Sequence, residues 1–93
     1  MEHGHGRAFQ PAVYILSNKP HGTLYVGVTS NLSRRIWEHR EGLVAGFTQR
    51  YAVKRLGFFE YFASISDAIQ REKRIKEWHR SWKIDLIVSM NPD

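Results

Sequence analysis

Ninety-three residues suffice for one domain with a modest core. The lack of cysteine excludes disulfides and thiolate metal sites. No apolar run approaches the ~18 residues of a membrane span and the N-terminus lacks a signal peptide's apolar stretch, so a cytoplasmic chain without a membrane partner is expected. A formal net charge of +5 favours a polyanionic partner.

Residues 1–10, polar and glycine-bearing, read as a flexible tail, and His3 and His5 there as adventitious metal binders at most. Residues 11–93 read as one folded unit opened by Pro11. Residues 12–17 and 24–28 are rich in β-formers, and residues 18–22 between them carry turn chemistry, which predicts a hairpin. A register pairing Tyr14 with Tyr25 sets two phenols side by side on one face. Tyrosines on a strand also serve simply to fill a sheet face.

Thr29, Ser30 and Asn31 offer N-cap chemistry for a helix that Gly42 ends. Leu32 and Ile36 define its buried stripe. Arg35 and His39, four apart, lie on one edge of that stripe, while Arg34 and Glu38 point further out to solvent. A guanidinium and an imidazole at the core boundary suit a phosphate; the plainer alternative is that Arg35 snorkels over the core. Residues 53–62, with Leu56, Phe58, Phe59, Tyr61 and Phe62, read as a largely buried strand. Arg50, Lys54 and Arg55 charge its start; Phe47 or Tyr51 offers a ring on which a base can stack, with ordinary core or loop packing as the plainer alternative for both.

The next helix, capped by Ser66 with Asp67 in its first turn, carries an apolar stripe of Ile65, Ala68, Ile69 and Ile75, and Glu72 falls inside it. An ionised carboxylate on a core face is costly unless it is paired or holds a metal. A metal ligand and a salt-bridge partner, for instance of Arg35, therefore stand as alternatives. A final helix restarts at Ser81 with Trp82, Leu86 and Ile87 as its packing stripe. Residues 71–83 hold six basic side chains against Glu72 and Glu77, a charge excess suited to a phosphate backbone.

Taken jointly, Val13-Tyr14-Ile15, Tyr25-Val26-Gly27, Arg35 ten residues beyond Tyr25, His39 four further and then Glu72 resemble the GIY-YIG nuclease family. The stretches of residues 25–30, 46–51 and 71–76 look most like its small standalone bacterial members. The resemblance implies an α+β fold in which a small three-stranded antiparallel sheet is flanked by helices. It implies a metal-dependent endonuclease acting on nucleic acid, DNA foremost, in repair or recombination. Tyr14, Tyr25, Arg35, His39 and Glu72 match the family's catalytic positions, with Glu72 as ligand of one Mg2+ or Mn2+ ion. Candidate nucleic-acid contacts are Arg34, Arg50, Lys54, Arg71, Lys73, Arg74, Lys76 and, from a late asparagine in some members, Asn91. Ala12 replaces a frequent glycine, and Val28 replaces a lysine of some repair members, removing one phosphate contact. On this reading one tyrosine takes the proton of attacking water, which asks a phenol of pKa near ~10 to fall about three units, about 4 kcal/mol. Two other classes remain open: a catalytically silent nucleic-acid-binding module, and a domain recruiting a protein partner through Trp37, Trp78 or Trp82.

Overall fold

The computed structural model describes residues 10–19, 22–44 and 46–91, the side chains of Phe47 and Thr48 excepted. The expected N-terminal tail, Pro20 and His21 of the expected turn, and base stacking by Phe47 lie outside the described residues. Strands β1 (Ala12–Ser17), β2 (Leu24–Thr29) and β3 (Arg55–Tyr61) form one antiparallel sheet in the order β2-β1-β3. Helices α1 (Leu32–Arg40), α2 (Phe47–Arg50), α3 (Ile65–Glu77) and α4 (Arg80–Met90) complete the fold.

The central strand explains the layering. Five consecutive residues of β1, Ala12 to Leu16, are buried, as a strand covered on both faces requires. Because side chains alternate, they feed two separate cores. Ala12, Tyr14 and Leu16 pack with Leu32 and Ile36 of α1 and with Val53. Val13 and Ile15 pack on the opposite face with Val26, Phe58 and, from α3, Ala68 and Ile75, with Leu86 and Ile87 of α4 alongside. The sheet is thus covered by α1 on one face and by α3 and α4 on the other.

Local chemistry sets the helix ends. Asn31 caps α1, its side-chain oxygen accepting from the Arg34 backbone N–H at 3.1 Å. Gly42 leaves the helix at φ 72, a left-handed conformation glycine adopts without strain, and its N–H donates to the His39 carbonyl at 3.1 Å.

Several expectations are corrected here. Tyr14 faces Gly27 across the β1–β2 pair, and Tyr25 faces Leu16. The difference is two residues, so both phenols keep the same face but stand diagonally. Only Phe58 of β3 is buried, and Tyr61 is exposed, because β3 is an edge strand whose register shifts opposite Ile15 and Leu16. Ser64, not Ser66, caps α3, accepting from the Asp67 N–H at 3.2 Å. Ile65 is 45% exposed and Ile69 lies at the surface, so α3 buries the narrower pair Ala68 and Ile75. Helix α4 begins at Arg80 and leaves Trp82 half in solvent, with Leu86 and Ile87 packed instead.

Candidate active site

The sheet face beneath α1 gathers most of the chemistry. Tyr14 is 1% exposed, and its hydroxyl lies 3.1 Å from Nε2 of His39, itself buried to 3%. Tyr25 closes a triangle of rings, with centroids 6.2 Å from Tyr14 and 5.5 Å from His39. Tyr25 is only partly buried, which puts its phenol at the mouth and Tyr14 behind it.

A residue the sequence reading gave no role makes this possible. A Cβ built on Gly27 would stand 2.5 Å from both Cζ and the hydroxyl of Tyr14, and 2.9 Å from Cε2 of Tyr25. Gly27 is therefore the seat of both rings. A glycine inside an apolar strand signals such a close approach, and that signal was present in Tyr25-Val26-Gly27.

Burial pushes the Tyr14 phenol above its ordinary value; the electrostatic interaction with Tyr25 opposes ionisation further, and a side-chain hydrogen bond with Tyr25 and the field of Glu72 add to this. Arg35 acts the other way but does not prevail. His39 is pushed below its ordinary value, first by burial and then by the positive charge of Arg35, with Glu38 opposing. Near neutral pH the pair is thus a neutral phenol against a neutral imidazole. Tyr14, as the structure holds it, is a hydrogen-bond donor rather than a ready base.

Arg35 sits at the rim, its side chain 39% exposed, with Nε 3.6 Å from the Glu38 carboxylate. Glu38 also accepts from Arg34 at 3.3 Å, so it lies at the site's edge rather than out in solvent. The i,i+3 and i,i+4 spacing to the two arginines was the sequence signal for this. Glu72 is 12% exposed at its side chain, and its partner is Lys76 at 2.7 Å, not Arg35. Among the described residues no cluster of three or more histidine and acidic side chains is placed to hold a metal.

The candidate contacts are spread more widely. Arg71 is bound to Glu60 of β3 at 3.1 Å and covers the Trp78 ring. Arg50 lies over Tyr51, whereas Lys54, Lys73 and Arg74 are exposed. The Asn91 amide donates to the carbonyls of Gly57 and Ile87, at 2.6 and 2.9 Å, and so ties the end of α4 to the sheet.

A family model described as the GIY-YIG catalytic domain matches residues 10–85. The chain belongs to the GIY-YIG family. It is 40% identical over 77 residues to a UPF0213 protein of Clostridium perfringens, covering 83% of this chain and 82% of that one. It is 41% identical over 75 residues to a UPF0213 protein of Natronomonas pharaonis, covering 81% and 87%. The solution NMR structure of a UPF0213 protein from Bacillus halodurans matches with a TM-score of 0.52 and 33% identity, over 84% of this chain and 82% of that one. These are proteins of similar size, and the shared α+β fold is the one described above. Family membership makes the chain nuclease-type, with nucleic acid as its class of substrate. No helix among the described residues is long and apolar enough to cross a membrane.

Proposed function

We propose that the chain is a divalent-metal-dependent endonuclease that hydrolyses phosphodiester bonds in DNA, with Tyr25 as the proton acceptor. The observation that carries the reading is the buried Tyr14–His39 hydrogen bond of 3.1 Å set behind the more exposed Tyr25 phenol. With the His39 proton on Nε2, His39 donates to Tyr14, and Tyr14, held in its neutral form, donates to the Tyr25 oxygen. That donor fixes the orientation of the Tyr25 phenol. Tyr25 then takes a proton from water as the water oxygen bonds to phosphorus and the bond to the leaving oxygen breaks. Arg35, at the rim, binds the scissile phosphate and offsets its developing charge.

The residues present fit a hard divalent cation. Glu72 offers a carboxylate of low exposure that already accepts a cationic group, the Lys76 ammonium, at 2.7 Å. One acidic ligand leaves the remaining positions to water and phosphate, as Mg2+ tolerates. When bound there, the metal would supply Lewis-acid stabilisation of the phosphate and leaving oxygen.

The test is a cleavage panel of branched, nicked, single-stranded and duplex DNA with Mg2+ or Mn2+ and with chelator. The wild type should cut at least one substrate and be silenced by chelator, Tyr25→Phe and Glu72→Gln. Cleavage that survives chelation, or full activity in Tyr25→Phe, would overturn the assignment.

A further inference from the structure

Beyond the tyrosine face, an open pocket lies between the β1–β2 turn and the start of α4. Lys19, Arg80 and Lys83 line it, with Asn18 and Thr23, and no carboxylate is among its described lining residues. The walls are built rather than incidental. The Asn18 side-chain oxygen accepts from the Thr23 N–H at 2.9 Å, Arg80 donates to the Gly22 carbonyl, and the Lys83 ammonium donates to the Lys76 carbonyl at 3.3 Å. Arg34, Arg35, Arg71 and Lys76 each have a carboxylate within ion-pair distance. Among the described residues Lys19, Arg80 and Lys83 have none, as is true of Arg40, Arg50, Lys54, Arg55, Lys73 and Arg74 elsewhere, but these three share one concavity. Three unmatched cations lining one concavity create a local positive potential that recruits an anion.

The position of the pocket says which anion. Leu24 lines it and adjoins Tyr25 on β2, an edge strand that a ligand can cross. On its other side Lys83 touches Lys76, which holds Glu72. The pocket thus lies one residue along β2 from Tyr25 and is tied to the backbone at the end of α3 through Lys83. We propose that it binds a phosphate of the substrate strand near the one cleaved, a backbone subsite supplied by Lys19, Arg80 and Lys83. This rests on the nuclease reading given above.

The experiment is metal-free binding, which requires no turnover. Affinity for a labelled oligonucleotide, single-stranded and duplex, is measured by anisotropy across a salt series for the wild type, Lys19→Gln/Lys83→Gln and Arg40→Gln/Arg55→Gln. Losing two phosphate contacts should flatten the slope of log K against log salt by about 1.4 for single strands and about 1.8 for duplex. The Arg40/Arg55 pair, exposed at the end of α1 and the start of β3, should change it less. An unchanged slope in the first variant, or an equal fall in both, overturns the subsite. On the wild type, amide shifts of Thr23, Leu24 and Lys83 are followed by NMR with oligonucleotide and with inorganic phosphate. Shifts there with oligonucleotide support the proposal. Shifts with inorganic phosphate and none with oligonucleotide assign the pocket to free phosphate and overturn it. Failure of the cleavage panel would leave these binding results standing, so the two readings fail separately.

Discussion

Replacing Gly27 with alanine tests the site through its seat. The added methyl would lie 2.5 Å from the Tyr14 ring carbon and hydroxyl and 2.9 Å from Tyr25, well inside van der Waals contact. Tyr14 cannot yield easily, because it is fully buried on the central strand and its hydroxyl is bound to His39. Overpacking of this kind costs about 1–3 kcal/mol, while alanine recovers about 0.4–1 kcal/mol by restricting the unfolded chain. The net expectation is a loss of about 1–2 kcal/mol, which lowers the midpoint by about 5–15 °C in a chain of this size. Gly57→Ala is the matched control. The three atoms nearest its methyl belong to the Ile87 side chain, at 3.1–3.3 Å, on the other face of the sheet, so it should cost less stability and spare cleavage. A displacement of about 1 Å in the reacting groups costs about 100-fold in rate, so Gly27→Ala should lose activity out of proportion to its stability. The assay pairs thermal or denaturant unfolding with cleavage well below the melting transition. A Gly27→Ala protein as stable and as active as the wild type would refute the reasoning.

Glu72→Gln removes a helical ion pair whose lysine is half exposed; such pairs contribute about 0.3–0.5 kcal/mol, so the melting point should barely move while cleavage is lost, and a large drop in stability with cleavage retained would make Glu72 structural. Lys76→Met frees the same carboxylate, and Mg2+ or Mn2+ should bind more tightly by calorimetry; unchanged affinity would show that the ammonium does not compete. Burial raises the Tyr14 pKa, so its contribution to stability is complete below pH ~10 and lost as pH climbs above it; Tyr14→Phe should flatten that alkaline limb in denaturation measured against pH. His39 is shifted the other way, so its contribution is present above pH ~6.5 and lost as pH falls towards its folded value; His39→Gln should be less acid-sensitive than the wild type, and an identical acid limb would remove His39 from the account.

What was legible in the sequence follows from local signals, and what was missed depended on partners. The run from Ala12 to Ser17 read as a strand from its β-formers, while its burial on both faces was not read, and Asn31 and Gly42 bracketed α1 through their own backbone chemistry. Tyrosine register was implicit in the strand bounds, since Ser17 opposite Leu24 places Tyr14 opposite Gly27, and pairing Tyr14 with Tyr25 did not follow from them. The shift by two residues preserved the face, which is why the phenols still meet. Ser64 and Ser66 present the same hydroxyl, and only the geometry of the first turn selects one. Ile65 and Ile69 fitted an apolar stripe but lie beyond the contact that α3 makes with the sheet. Glu72 was recognised as exceptional from its place on the wheel, whereas its partner four residues on was overlooked in favour of distant Arg35.

The double coverage of β1 also sorts the amides by the motion that exposes them to deuterium. Those of β1 are bonded to strands on both sides and lie between two cores, so they exchange only when the whole chain unfolds. Helix α1 packs against one face alone and can detach in a smaller opening. Tyr14 would then stay on the most protected strand while Arg35 and His39 leave with the helix. Such an opening would take the candidate site apart without unfolding the whole chain.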